Sequence, residues 1–216
     1  MKGTFITFEG GEGSGKSTQA RLLAGHLKQK GYDVIATREP GGTEIGDAIR
    51  AVLLNPEFTE MGNVTELLLL ASSRAQNVHE RIKPGLERGA VVICDRFIDS
   101  TLAYQGYGRK FDLKLLEALN RLATGGVTPD LTILLDLPVE VGLVRAKALD
   151  KGESKSGEGD RIEQLDIDFH RRLRQGFLEL AAREPGRFKT LEITEGIEAI
   201  QDKVVEVVEE YLKGRG

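Results

Sequence analysis

Five short β-rich runs, Thr4 to Phe8, Tyr32 to Thr37, Ala90 to Cys94, Leu131 to Asp136 and Phe188 to Ile193, are separated by stretches with helical periodicity. This alternation narrows the fold more than any other feature, because strands parted by a helix are joined by right-handed crossovers. Such strands run parallel in a sheet covered on both faces. The runs VVIC and LTILLD are almost wholly apolar and read as central strands. Helical patterns span Ser17 to Lys30, with Leu22, Leu23 and Leu27 on one face, then Thr43 to Leu54, Glu66 to Ile82, Leu113 to Ala123, Val139 to Leu149, Glu163 to Arg183 and Ile197 to Lys213. The expectation is an α/β, three-layer fold with a five-stranded parallel sheet flanked by helices, built as one domain over all 216 residues. Ligands in such sheets bind beyond the carboxyl ends of the strands. The segments to inspect are therefore GGEGSGKST, REPGGT, DRF and DLP.

The first of these holds Gly10, Gly11, Glu12, Gly13, Ser14, Gly15, Lys16, Ser17 and Thr18. Glycine is costly wherever the backbone must be ordered, so this density calls for a use. The spacing is that of a phosphate-binding loop, in which backbone N–H groups turn around phosphate oxygens, the lysine reaches the β- and γ-phosphates and the hydroxyl meets Mg²⁺. A ligand-free turn is the bland alternative. The preceding strand and the following amphipathic helix argue against it, since they are the context in which such a loop works.

Asp95 and Arg96 follow the third run. Alone they would read as a local ion pair; beside a phosphate loop, the carboxylate can hold Mg²⁺ directly or through water, and the arginine can grip a phosphoryl oxygen. Arg38 and Glu39 precede a Pro-Gly-Gly turn and a helix begun by Thr43. Leu70 and Arg74 lie four apart and share a helix face, while Tyr104 and Gln105 stand in an AYQGYG stretch that could be an ordinary helix-to-loop transition. The segment from Lys151 to Asp160 is rich in glycine, serine and charge and is flanked by Arg145, Lys147 and Arg161. It reads either as a solvated loop or as a mobile lid that closes over a phosphoryl donor.

A net charge of −4 supplies no basic footprint for nucleic acid. The N-terminal stretch MKGTFITFEGG is too short and weakly apolar for a secretory signal, and no run approaches a membrane span, so a cytoplasmic protein is expected. Cys94 is alone, and in AVVICD it reads as a small apolar strand residue.

Taken in order, FEGGEGSGKST, TREPGGT, SSRAQ, DRF with STLAYQG, TPDLTILLDLP and DRIE resemble the thymidylate kinase family of nucleoside monophosphate kinases in its bacterial form. The resemblance implies transfer of a phosphoryl group from ATP to thymidine 5′-monophosphate with Mg²⁺, in a P-loop fold with a mobile lid over about 145–163, and a homodimer formed through the helix around Glu66 to Ile82. It also implies roles. Lys16 and the loop amides hold ATP phosphates, Ser17 and Asp95 serve the metal, and Glu12 lies near the sugar 3′-hydroxyl and the metal. Arg96 and Arg38 grip the acceptor phosphate. Arg74 donates to the thymine carbonyl, Thr101 bonds the base edge, Tyr104 sits under the sugar with Gln105 beside it, and Arg145 and Arg161 carry catalytic charge from the lid.

Two positions depart from the family pattern. Leu70 stands where an aromatic ring commonly stacks on the base, and with glycine at position 13 the catalytic arginine must come from the lid, yet Leu149 stands where one is expected. Arg145, Lys147, Lys151, Lys155 or Arg161 must then supply the charge. Two other readings compete: a nucleotide switch, against which the missing Asn-Lys-x-Asp guanine signature counts, and a kinase for another small acceptor, which only a substrate panel separates.

Overall fold

The computed structural model describes residues 3–149, 161–162 and 164–214. Lys151, Lys155, Glu163 and most of the lid expected over 145–163 lie outside them.

At the centre is β1 (Thr4–Glu9), whose six residues are all buried. It pairs in parallel with β3 (Val91–Asp95) on one side and β4 (Leu131–Asp136) on the other. The outer strands are β2 (Val34–Arg38) and β5 (Phe188–Glu192), giving the order β2-β3-β1-β4-β5. The near-continuous apolar runs of β1, β3 and β4 are thus explained by cover on both faces. On one face, α1 (Lys16–Gln29) and α9 (Ile197–Lys213) pack Leu23, Leu27, Val204 and Val208 against Phe8, Ile93 and Ile133. The opposite face is covered near β3 by Phe97 and Ile82, and near β4 by α6 (Leu113–Thr124) and α8 (Ile167–Arg183) through Leu116, Leu173 and Phe177.

Register levels the strand ends that matter. Phe8 pairs with Asp95, and Asp95 pairs with Arg38, so the first residues beyond three adjacent strands open onto one edge. Each of these strands runs one residue past its apolar stretch, to Glu9, Arg38 and Asp95, because the ladder continues under charged side chains; Glu39 N still donates to Asp95 O at 2.9 Å.

Helix starts differ from the periodic pattern where a cap decides them. Thr43 accepts from Gly46 N and starts α2 (Glu44–Leu54); Asp166 accepts from Phe169 N, so α8 begins at Ile167 instead of 163. The helix expected over Glu66 to Ile82 begins a turn earlier as α3 (Asn63–Asn77), then passes through a π-helical turn, Val78–Ile82, into α4 (Lys83–Glu87). The AYQGYG stretch is helical, not a transition to loop: α5 (Ile98–Thr101) runs directly into a π-helix over Leu102–Gly108. Close packing explains its glycines, since a Cβ at Gly108 would lie 2.5 Å from the Phe169 ring. The last helix to introduce is α7 (Val139–Leu149), as expected.

Candidate active site

The glycine loop joins β1 to α1 and closes against α7. Gly13 has φ 65°, and a Cβ there would stand 2.1 Å from the Gly142 carbonyl oxygen. No side chain, an arginine included, fits position 13 while α7 packs so closely. Lys16 is buried, with Nζ donating to Gly11 O at 2.6 Å and to Ser14 Oγ at 3.2 Å. Burial, and then the neighbouring Arg96 guanidinium, pulls its ammonium down to about 8 against the opposing pull of Glu12. The Ser17 hydroxyl donates to Asp95 Oδ2. Asp95 Oδ1 is buried with no hydrogen-bond partner among the described residues. A buried, orphaned carboxylate oxygen beside a hydroxyl is a hard-oxygen donor set suited to Mg²⁺. Among the described residues no three His, Cys, Asp or Glu side chains gather as a metal cage.

Arg96 adopts φ 69°, a left-handed conformation that non-glycine residues rarely take and that marks functional strain. Its guanidinium donates to Glu12 at 3.0 and 2.9 Å and to Gly10 O at 3.2 Å, and lies 5.0 Å from the Tyr104 ring centroid. The Tyr104 hydroxyl donates to the same carboxylate. Burial works to raise Glu12, but Arg96 foremost, with Lys16 and the Tyr104 hydroxyl, outweighs it and holds the carboxyl at about 2.

Arg74 occupies the deep wall. Nε donates to Glu39 at 2.7 Å, Nη1 to Thr101 Oγ1 at 2.7 Å and Asn120 Oδ1 at 2.6 Å, and Nη2 to Phe97 O at 2.9 Å. Of the five N–H donors of a guanidinium, one on Nη2 remains for a ligand. Glu39 is itself steadied by Asn77, and the Gly41 amide donates to Ser73 Oγ, which pins the REPGG turn to α3. Arg38, by contrast, is exposed and reaches Asp47 at 3.2 Å.

On the far wall Glu66 is buried and accepts from Gln105 at 3.0 Å, from Arg109 at 3.1 Å and from Arg161 at 2.6 Å; Arg161 also donates to Leu53 O. Burial opposes ionisation of Glu66, but these donors, led by Arg109, leave its carboxyl below the ordinary range.

Between these walls lies one cleft of about 330 Å³. Glu12, Gly13, Gly15, Lys16, Ser17, Thr18, Arg38, Leu70, Arg74, Asp95, Arg96, Thr101, Tyr104, Gln105 and Arg161 line it, which gathers nearly every residue singled out in the sequence. Arg145 does not join them: it is exposed on α7. Glu66, Asn120 and the buried carboxylate of Glu9 also belong to these networks, although their sequence neighbourhoods do not single them out. Helical spacing does offer a signal for Glu66, which stands four residues before Leu70 and eight before Arg74 on the same helix face.

Comparison with known proteins agrees with the geometry. A family model described as thymidylate kinase matches residues 8–204. The thymidylate kinase of Exiguobacterium sp. is 51% identical over 216 residues, covering 100% of this chain and 99% of that protein. That of Geobacter sulfurreducens is 52% identical over 206 residues, covering 95% and 96%. A crystal structure of thymidylate kinase from Ehrlichia chaffeensis superposes with a TM-score of 0.77 at 34% identity, covering 97% of this chain and 99% of that one.

Proposed function

The chain belongs to the thymidylate kinase family, and from that premise we infer how its cleft divides the work between donor and acceptor. The reaction is phosphoryl transfer from ATP to thymidine 5′-monophosphate, giving thymidine 5′-diphosphate and ADP. The observation that carries the division is that the loop residues Lys16 and Ser17 and the acceptor-side residues Arg74, Thr101 and Tyr104 border a single cavity of about 330 Å³.

Phosphoryl transfer asks the protein for position and charge more than for acid-base chemistry. On the donor side the amides of Gly10 to Thr18 and the Lys16 ammonium would hold ATP phosphates. Ser17 Oγ and the orphaned Asp95 oxygen would hold Mg²⁺, with Glu12 as the second acid on that side. When bound, Mg²⁺ neutralises charge that develops on phosphoryl oxygens. On the acceptor side Arg96 and Arg38 would grip the nucleotide phosphate, Arg74 would offer its remaining Nη2–H to a thymine carbonyl, and Thr101 and Gln105 would border the base. Tyr104 would fill the space a ribose 2′-hydroxyl needs. Leu70 offers the base an apolar contact without a stacking ring.

Arg161 and Arg145 are the two assigned lid cations. Arg161 favours the acceptor wall, since its guanidinium is engaged by Glu66 and Leu53 O. Arg145, exposed on α7, favours the donor.

An assay of ADP release with each nucleoside monophosphate in turn tests the substrate assignment; comparable turnover of uridine or deoxycytidine monophosphate would overturn it. We also assign a homodimer, supported by exposed Val64 and Leu68, four residues apart on α3. Sedimentation of the wild type against Leu68→Glu tests that assignment. No helix among the described residues is long and apolar enough to cross a membrane, which supports a cytoplasmic location.

A further inference from the structure

Glu9 is the last residue of β1, adjoins the glycine loop, and is entirely buried. A carboxylic acid in such a place needs partners. They come from the segment after β3: Phe97 N donates to Oε1 at 2.8 Å, Ser100 N to the same oxygen at 3.3 Å, and Ser100 Oγ to Oε2 at 2.6 Å. Those amides open the helical segment that begins at Ile98. Its N-cap residue is Phe97, which has no side-chain oxygen, so the segment contains no cap of its own. Glu9 supplies one from a neighbouring strand.

Immediately before the clamped Phe97 amide stands Arg96, in its left-handed conformation, with its own N–H on Phe8 O at 2.9 Å. Such a conformation persists only where its surroundings hold it in place. The Phe8 carbonyl fixes one side of Arg96 and the Glu9 carboxyl the other, so consecutive residues of β1 grip consecutive amides.

We propose that Glu9 is a positioning residue for phosphoryl transfer, clamping the Phe97 and Ser100 amides and so aiming the Arg96 guanidinium at the acceptor phosphate. The proposal rests on the assignment of Arg96 to that phosphate. Thr101 and Tyr104 ride on the clamped segment, so the clamp also registers the acceptor wall against the donor loop.

The charge state is consistent with a clamp made of hydrogen bonds. Burial foremost, then Asp99, raises the Glu9 carboxyl to about 8, against Ser100, Arg96 and the Phe97 amide. Its other ionisable neighbours are Lys16 from α1 and the Cys94 thiol from β3, and Asp99 is held by Arg187 at 2.7 and 2.9 Å. A protonated carboxyl offers one oxygen as acceptor and one hydroxyl, and the glutamine amide has the same pattern of acceptor and donor.

Steady-state kinetics of Glu9→Gln, Glu9→Asp, Glu9→Ala, Arg96→Ala and the Glu9→Ala/Arg96→Ala double variant test the proposal. Glu9→Gln should stay within about threefold of wild type, while Glu9→Ala should lose at least about tenfold in kcat/KM for thymidine monophosphate with ATP KM changed by less than about threefold. The double variant should lose clearly less than the product of the two single losses, because much of the Glu9 effect runs through Arg96. If Glu9→Ala does not fold, Glu9→Asp decides, since it keeps the acid but shortens its reach. A selective loss on the acceptor side at unchanged melting temperature supports the clamp, and wild-type kinetics overturn it. Equal losses for ATP and acceptor, or fully additive losses in the double variant, also overturn it. Wild-type kinetics in Arg96→Ala would instead remove the assignment of Arg96, whatever the Glu9 variants do.

Discussion

Arg74–Glu39 and Arg96–Glu12 are the same chemical pair at opposite ends of one cleft, at 2.7 and 2.9 Å, yet they behave oppositely. The first pair is sealed, with 3% and 4% of its side chains exposed; the second is more open, at 17% and 15%. Burial dominates at Glu39 and raises its carboxyl even though Arg74 opposes it, whereas Glu12 is held at about 2 because Arg96 is joined by Lys16 and Tyr104. The number of cations around the acid accounts for the difference. An incoming phosphate could draw Arg96 away and leave Glu12 still compensated by Lys16. Drawing Arg74 away would strand a buried charge on Glu39. One pair is built to hold the wall, the other to exchange partners.

That contrast is most easily broken at Arg74. Arg74→Ala removes the partner of a buried acid and deprives Thr101, Asn120 and Phe97 O of their donor, so stability should fall by about 3–5 kcal/mol. At roughly 2–4 °C per kcal/mol for a chain of this size, calorimetry should register the loss plainly. A loss below about 1 kcal/mol would mean that Arg74 is not a structural pillar.

Arg96→Ala should divide its effects the other way. Turnover should drop about 10²–10³-fold, the usual result of losing one charge contact to the transition state. Stability should change by no more than about 1 kcal/mol, because Lys16 and Tyr104 still serve Glu12. A folded variant with near-normal turnover would erase the distinction between the two pairs.

Arg38 extends the comparison to a third pair, with Asp47, whose arginine side chain is 55% exposed. Exposed pairs contribute little, so Arg38→Ala should cost less than about 0.5 kcal/mol of stability. With the proposed grip on the acceptor phosphate, its loss should nonetheless lower kcat/KM for the acceptor about tenfold, the scale of one hydrogen bond to a charged group. Unchanged acceptor kinetics would make Arg38 a surface residue and no more.

How much of this could be read from the chain follows from how local each feature is. The loop from Gly10 to Thr18 was legible because its chemistry is written in nine consecutive residues, and the parallel sheet because alternation admits few alternatives. Arg74 was legible as a residue on the face of Leu70, and as a donor only through the family resemblance. That four of its five N–H groups are committed was not, since the partners lie 23 to 46 residues away. Glu66 gathers Arg161 from 95 residues off, and Glu9 its amides from 88 and 91. Nothing in a strand ending TFE says that its acid points inward, because periodicity ranks a glutamate as solvent-facing. The π-helix over Leu102–Gly108 escaped for a related reason: its glycines, required by contact with Phe169 and Leu113, look like loop residues until those neighbours are known.

The smallest expected effect belongs to Tyr104, which touches the working pair without carrying its charge. Its ring is nearly buried, 5.0 Å from Arg96 on one side, and meets Phe169 and Phe177 edge-on with centroids 6.3 Å away. The ring's place is therefore set by packing, and Tyr104→Phe keeps the bulk that would exclude a 2′-hydroxyl. The ratio of kcat/KM for thymidine over ribothymidine monophosphate should stay within about threefold of wild type, with turnover lower by a few-fold, the scale of one hydrogen bond. The lost hydroxyl also removes one donor from Glu12, but Arg96 and Lys16 both depress that carboxyl more strongly, once burial's opposite push is counted. A depressed carboxyl stays ionised until pH falls through its folded-state value, so the profile of kcat/KM from about pH 6 to 8 should not move. Loss of the deoxyribose preference would show that the hydroxyl, not the ring, reads the sugar. An acid limb shifted upward into that range would show that Tyr104, not Arg96, is the main support of Glu12, and the open pair would then be a triad.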